Sequence, residues 1–262
     1  GTLSATTDAS SSAITLDQLA VDGAFTLAPN GNGAVTVVND AGLNLAASTM
    51  GGTFSGTATT GDISDSGNLA ITGAATFITG ASGSNIILDA SGNAFSSAVT
   101  LRADAGNEAF GNITFVDSGA VRLHSSAGAD GDLYINAGTD GAVGGNLSIT
   151  ATTGNITQGV ALAVGGTSTF VTSANDATIA LATDSNAFTG ALLITTNDSG
   201  TDTAGDVSID GGTTGLIMGL STIDGDLALR SGAAITDTGV ATVRGTLSAT
   251  TDASSSAITL DQ

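Results

Sequence analysis

Gly1 to Gln18 reads GTLSATTDASSSAITLDQ, and Gly245 to Gln262 reads the same, residue for residue. Such a run of identities does not arise by chance. The chain therefore carries one full period of 244 residues and the first 18 of the next, as expected of a window in a tandem array. A solenoid accounts for this, because each coil buries its inward face only against its neighbours and the unit can be repeated indefinitely. Barrels and sandwiches have similar strand spacing but do not require the same segment at both ends.

A weaker repeat is nested inside the first. Thr57-Ala-Thr-Thr-Gly-Asp-Ile63 matches Thr150-Ala-Thr-Thr-Gly-Asn-Ile156, 93 residues further on. At the same offset Ala75-Thr76-Phe77 matches Ser168-Thr169-Phe170, and Asn93-Ala94-Phe95 matches Asn186-Ala187-Phe188. A more diverged copy starts near Gly225. The expected organisation is one continuous solenoid over residues 1–262, with subrepeats starting near Gly52, Gly145 and Gly225, the last wrapping into 1–51. Their unequal lengths imply insertions in surface loops. The longest lies near Gly128 to Gly145.

The finest period is the strand. Ala34-Val-Thr-Val37, Asn85-Ile-Ile-Leu88, Asn112-Ile-Thr-Phe115, Leu147-Ser-Ile149, Thr178-Ile-Ala-Leu181 and Asp206-Val-Ser-Ile209 alternate apolar with polar residues. Alternation puts the apolar set on one face of a strand. Gly-Asn, Asp-Gly and Gly-Gly clusters between them supply turns. With three short strands per coil, a coil uses roughly 20 to 25 residues, and a period makes on the order of 11 coils over about 50 Å. Parallel crossovers favour the right hand. The expected fold is all-β, a right-handed parallel β-helix. Its expected core positions are Ile14, Leu16, Phe77, Ile87, Phe95, Phe115, Ile149, Phe170, Ile179, Phe188 and Ile209.

Composition agrees. There are 38 Gly, one Pro, no Cys, no Trp and no Lys. The only basic residues are Arg102, Arg122, Arg230 and Arg244, and the acids are all Asp apart from Glu108. Helix formers are scarce while Thr, Val, Ile, Asn and Asp abound. A net charge of −20 makes nucleic acid a poor partner. No apolar run is long enough to span a bilayer.

Catalysis is not expected. His124 is the only His, and in Val121-Arg-Leu-His124 it reads as a solvated neighbour of Arg122. A lone His without Cys cannot make a closed zinc site. A Ser-His-Asp triad needs a positioned pocket. β-Helix enzymes acting on polysaccharides line a groove with aromatics and bases, and this chain has a single Tyr, Tyr134, and scattered Arg. Calcium is the one cofactor the turns suggest: Asp130, Asp132, Asp140, Asp198 and Asp202 sit in Gly-rich or polar turns with oxygen ligands. Neither the glycine-rich nonapeptide calcium repeat nor an EF-hand loop occurs, so the expected cofactor is none. Ice binding needs aligned Thr-x-Thr rows, and Thr57-Ala-Thr59 and Thr150-Ala-Thr152 are 93 residues apart. The sequons at Asn112, Asn146, Asn155 and Asn197 read as chance.

Gly145-Asn-Leu-Ser-Ile-Thr-Ala-Thr-Thr-Gly-Asn-Ile-Thr-Gln158, Leu162-Ala-Val-Gly-Gly-Thr-Ser-Thr-Phe170 and Asn186-Ala-Phe-Thr-Gly190 together resemble the repeats of giant bacterial β-helical exoproteins, the filamentous-haemagglutinin-like adhesins and autotransporter fibres. The resemblance implies a right-handed β-helix, export to the bacterial cell surface, and a role as stalk, filament or adhesin. The expected function is a structural shaft of an extracellular filament, partnered by copies of its own repeat stacked end to end and by lateral neighbours or surface ligands. The alternative is an adhesin binding through its inserted loops; a carbohydrate-active β-helix enzyme ranks below both.

Overall fold

The computed structural model describes residues 1–103, 111–124, 132–135, 142–182, 186–197 and 204–262. The chain winds as a parallel β-solenoid of about 11 turns. No helix occurs among the described residues. Two long sheets carry the fold: a front sheet of fourteen strands and a back sheet of twelve. Two ladders of three short strands close the edges of some turns. A turn thus has two strands or three.

Strand partners lie one turn apart. Leu43 pairs with Ile63 and Ile179 with Val207, separations of 20 and 28 residues. Ile113 pairs with Leu147, 34 residues on. Every turn sends alternate residues inward, as in Val35, Val37 and Asn39 of the back sheet. Inside, aliphatic side chains and Phe rings form one continuous core. Phe54, Phe77, Phe95 and Phe115 make a chain of ring contacts with centroids 5.1, 6.1 and 5.1 Å apart. Such pairs each add about 0.5–1.5 kcal/mol beyond their burial. Gly56 makes room for this: a Cβ there would stand 2.7 Å from Cζ of Phe54 and 2.9 Å from Cδ2 of Leu43.

Of the expected core positions, Ile14, Phe77, Phe95, Phe115, Ile149, Phe170, Ile179, Phe188 and Ile209 are buried. Leu16 points inward but is only partly covered. Ile87 is corrected: its neighbours Ile86 and Leu88 are buried and Ile87 is on the outer face. Three apolar residues in a row leave the inward phase open. Pairing of Ile86 with Ile63 and Ile113, both buried, sets it.

The stretch Gly128 to Gly145, read as a surface loop, is corrected in part. Residues 125–131 and 136–141 lie outside the described residues, but Asp132–Ile135 is a strand of the back sheet. It lies between Val99–Arg102 and Val121–His124, out of chain order. Leu133 and Ile135 are buried there, 1 and 2 % exposed. Deleting residues 129–144 is therefore expected to damage the fold rather than spare it. Losing two buried aliphatic side chains costs about 2–5 kcal/mol each. A urea midpoint unchanged by the deletion would contradict this.

The two copies of the 93-residue subrepeat occupy different sheets. Ala75-Thr76-Phe77 is in the back sheet, and its counterpart Ser168-Thr169-Phe170 is in the front sheet. Ile63 is in front and its counterpart Ile156 is behind. In the first copy the chain runs front, edge, back, as in Ile63–Asp65, Leu69–Ile71 and Ala75–Thr79. In the second it runs front, back, edge, as in Leu147–Ala151, Ile156–Gln158 and Ala163–Val164. Because all strands of a sheet run the same way, the third strand has moved to the opposite side of the coil. Side-chain packing survives the move: Phe77 and Phe95 meet edge-on at 6.1 Å and 88°, Phe170 and Phe188 at 6.3 Å and 80°.

Candidate functional site: the ladders along the shaft

An Asn or Asp precedes the first inward residue of many turns, as in Asp62-Ile63, Asn85-Ile86, Asn112-Ile113 and Asn146-Leu147. These side chains stack into a ladder at the corner before the front sheet. The Asn85 backbone N–H donates to Asp62 Oδ1 at 2.7 Å, Asn112 N–H to Asn85 Oδ1 at 2.7 Å, Asn146 N–H to Asn112 Oδ1 at 2.8 Å, and Thr167 N–H to Asn146 Oδ1 at 2.8 Å. A second ladder runs before the back sheet, where Asn155 Oδ1 accepts from Thr178 N–H and Asp206 Oδ1 from Asp226 N–H. Each link satisfies a corner N–H that the strand ladder leaves over. Asn112, Asn146 and Asn155 are three of the four sequon asparagines, so the structure gives them a local task. The signal was legible as an Asx residue immediately before a number of strands.

The Asn of the Asn-Ala-Phe element is turned inward instead. Asn93 and Asn186 are 0 and 1 % exposed. Asn93 Oδ1 accepts from Leu69 N–H, and Asn186 Oδ1 from Leu162 N–H, both at 2.8 Å. The Asn93 amide donates to Asp65 Oδ2 at 2.5 Å. The Asn186 amide donates to the carbonyls of Leu181 (3.0 Å) and Asp210 (2.8 Å) and to Gln158 Oε1. A buried amide must have all its partners, since each unmade bond costs about 1–3 kcal/mol.

Burial raises the pKa of two carboxyls above the ordinary Asp value. For Asp65 desolvation outweighs hydrogen bonds from Asn93, Asp89 and Ala90. For Asp117 it outweighs backbone bonds that include the one from Phe95 N–H at 3.1 Å. The folded state then holds these protons more tightly than the unfolded state does. The cost of burying the charge is present above the folded pKa, and it is relieved as pH falls through it towards 3.8. Asp117→Asn keeps an acceptor for Phe95 and removes the charge. It is expected to raise the thermal midpoint at pH 7, with the gain shrinking to nothing below pH 3.8. A gain that persists in acid would overturn this.

Arg122, Arg230 and Arg244 pair with Asp residues on or next to neighbouring strands. Arg122 Nε meets Asp132 Oδ1 at 2.6 Å on the neighbouring strand, and Arg230 bridges Asp210 (3.2 Å) and Asp252 (3.0 Å) on either side. Arg244 pairs with Asp224. Asp132, a calcium candidate, is thus buried against a guanidinium, which corrects its reading as an open turn ligand. Asp130, Asp140, Asp198 and Asp202 lie outside the described residues. Among the described residues no group of three or more His, Cys, Asp or Glu could hold a metal ion. His124 is half-buried and in register with Tyr134. Thr57 is in the back sheet and Thr150 in the front. Parallel register nonetheless aligns outward hydroxyls from successive turns, from Thr15 through Thr36, Ser55, Thr76 and Thr100.

A family model described as Repeats of unknown function (DUF5649) matches residues 32–102, 110–195 and 204–262. Together these stretches cover most of the chain. The chain belongs to this family. The first DUF5649 copy opens in the back sheet at Val35, the second in the front sheet at Ile113, and the third in the back sheet again at Val207. The family copies therefore alternate between sheets, as the subrepeats do. No curated protein and no solved structure matches the chain. No helix among the described residues is long and apolar enough to cross a membrane.

Proposed function

We propose that this chain is a load-carrying shaft segment of an extracellular filament, exported to a bacterial surface, whose work is mechanical and whose partners are further copies of its own repeat. Catalysis and a bound cofactor have no part in this reading. The observation that carries it is the continuity of bonding along the axis. Parallel strand pairing links turn to turn, and the Asx corner ladders and the inner Phe contacts reinforce it over parts of the shaft, so tension along the axis is shared by many backbone hydrogen bonds. The charge supports it too: 24 acidic against four basic residues keep neighbouring shafts soluble and apart.

Imaging the native fibre at low dose tests the reading. The expected result is a rod of single-chain thickness with the ~4.8 Å strand spacing along its axis and an advance of about 50 Å per repeat. Compact particles, or strand spacing across the axis, would overturn it.

A further inference from the structure

The duplicated segment shows how one repeat joins the next. Leu3–Thr6 is in the front sheet, paired with Phe25–Ala28. Its identical copy Leu247–Thr251 is in the back sheet, paired with Leu227–Ser231. Ile14 is behind and its copy Ile258 is in front. One period of 244 residues is therefore not a whole number of turns. It ends with front and back exchanged.

We propose that consecutive copies of this repeat join with front and back exchanged, so that odd and even copies show the same surface on opposite sides of the shaft and the true structural period is two repeats. This rests on the shaft reading above and specifies the geometry of its self-partner. The cause is visible within the repeat. The second and third family copies each start on the sheet opposite to the one before. These are two exchanges, and the opposite placement of Leu3–Thr6 and Leu247–Thr251 requires a third, an odd number, so the fourth copy cannot begin where the first did.

In an array the next copy continues the stack from the Leu247–Thr251 and Ile258–Thr259 strands. Here the duplicated segment serves as its own control. Ile14, covered by the following turn through its pairing with Val35, is 6 % exposed, while the identical Ile258 is 44 % exposed. Leu247 is 48 % exposed at the same edge. The occupant that fits is the counterpart of Phe25 to Val37 from a second copy. In this chain that segment lies on the same residues in parallel register, Leu3 with Phe25 and Ile14 with Val35.

The consequence is a two-sided shaft. Ser55, Thr57 and Thr76 form an uncharged outward patch on the back sheet, and their counterparts Ser148, Thr150 and Thr169 form it on the front. Any contact made through that patch by one repeat is available on the other side in the next.

The chain has no Cys, so Ser91→Cys, at an exposed turn beside an edge ladder, adds one labelling site per repeat. An array of at least four repeats carrying this change is labelled with maleimide gold and imaged. The expected result is two opposite lines of gold, about 100 Å apart within a line and offset by about 50 Å between lines, given a ~4.8 Å rise per turn. A single line, straight or smoothly twisting, with gold every ~50 Å would overturn the exchange while leaving the shaft intact. Absence of a rod with axial strand spacing would instead sink the shaft reading, and this inference with it.

Discussion

Phe170→Asp is expected to unfold the turns around it and to lower the thermal midpoint of the whole segment. Phe170 is 0 % exposed in the front sheet, in register with Ile149 on one side and Ile194 on the other. It also meets Phe188 edge-on at 6.3 Å. Removing a buried Phe costs about 3–5 kcal/mol. An unpaired carboxylate in its place adds several more unless it is neutralised or reaches water. In a solenoid each turn touches only its neighbours, so the loss is concentrated locally and splits the stack. Hydrogen exchange is expected to rise first at Ile149, Phe170 and Ile194. Phe170→Leu, which keeps an apolar filler, is expected to cost much less. An Asp variant with an unchanged midpoint would mean that the inward face has been misassigned.

Asn186→Leu is the second large effect, and it has the opposite logic: a polar residue made apolar in the interior is destabilising. The change strands the N–H of Leu162 and the carbonyls of Leu181 and Asp210. At about 1–3 kcal/mol for each of the three orphaned groups, a loss on the order of 3–9 kcal/mol is expected in urea unfolding. Asn93→Leu is expected to cost less, since Asn93 bonds to Leu69 N–H and to the Asp65 carboxylate rather than to two buried carbonyls. Equal losses at the two sites would show that van der Waals fit matters there rather than the hydrogen bonds.

Both sites belong to one motif that was visible in the chain before any fold was known. Asn93-Ala94-Phe95 and Asn186-Ala187-Phe188 stood out as a repeat. Phe95 and Phe188 were readable as core. The inward turn of the Asn was not, because an Asn in a turn region is ordinarily a surface residue. Only the preceding turn's backbone, which presents an N–H to it, makes burial worthwhile. The Asx corner ladder is similar: Asn or Asp recurs before several strands in the sequence, but its meaning needs the stacking of turns. Ile87 shows the limit from the other side. Within Ile86-Ile87-Leu88 no local rule chooses the inward residues, and the neighbouring turns decide.

The period-two alternation, the glycine turns and the repeats settle what each short stretch becomes. A strand's two faces follow from its own side chains, and the Phe77–Phe95 geometry recurs at Phe170–Phe188 because the same residues meet with one strand between them, Ile86–Leu88 in the first pair and Ile179–Leu181 in the second. Sheet membership is another matter. Thr2 to Thr7 and Thr246 to Thr251 are identical, yet their strands lie on opposite sides of the molecule. Strand pairing asks only that a neighbour be parallel and in register. Front and back edges both satisfy it, so the accumulated length of the preceding turns, including the inserted Asp132–Ile135 strand, chooses between them. That choice is made by closure around the axis, which no local stretch of residues contains.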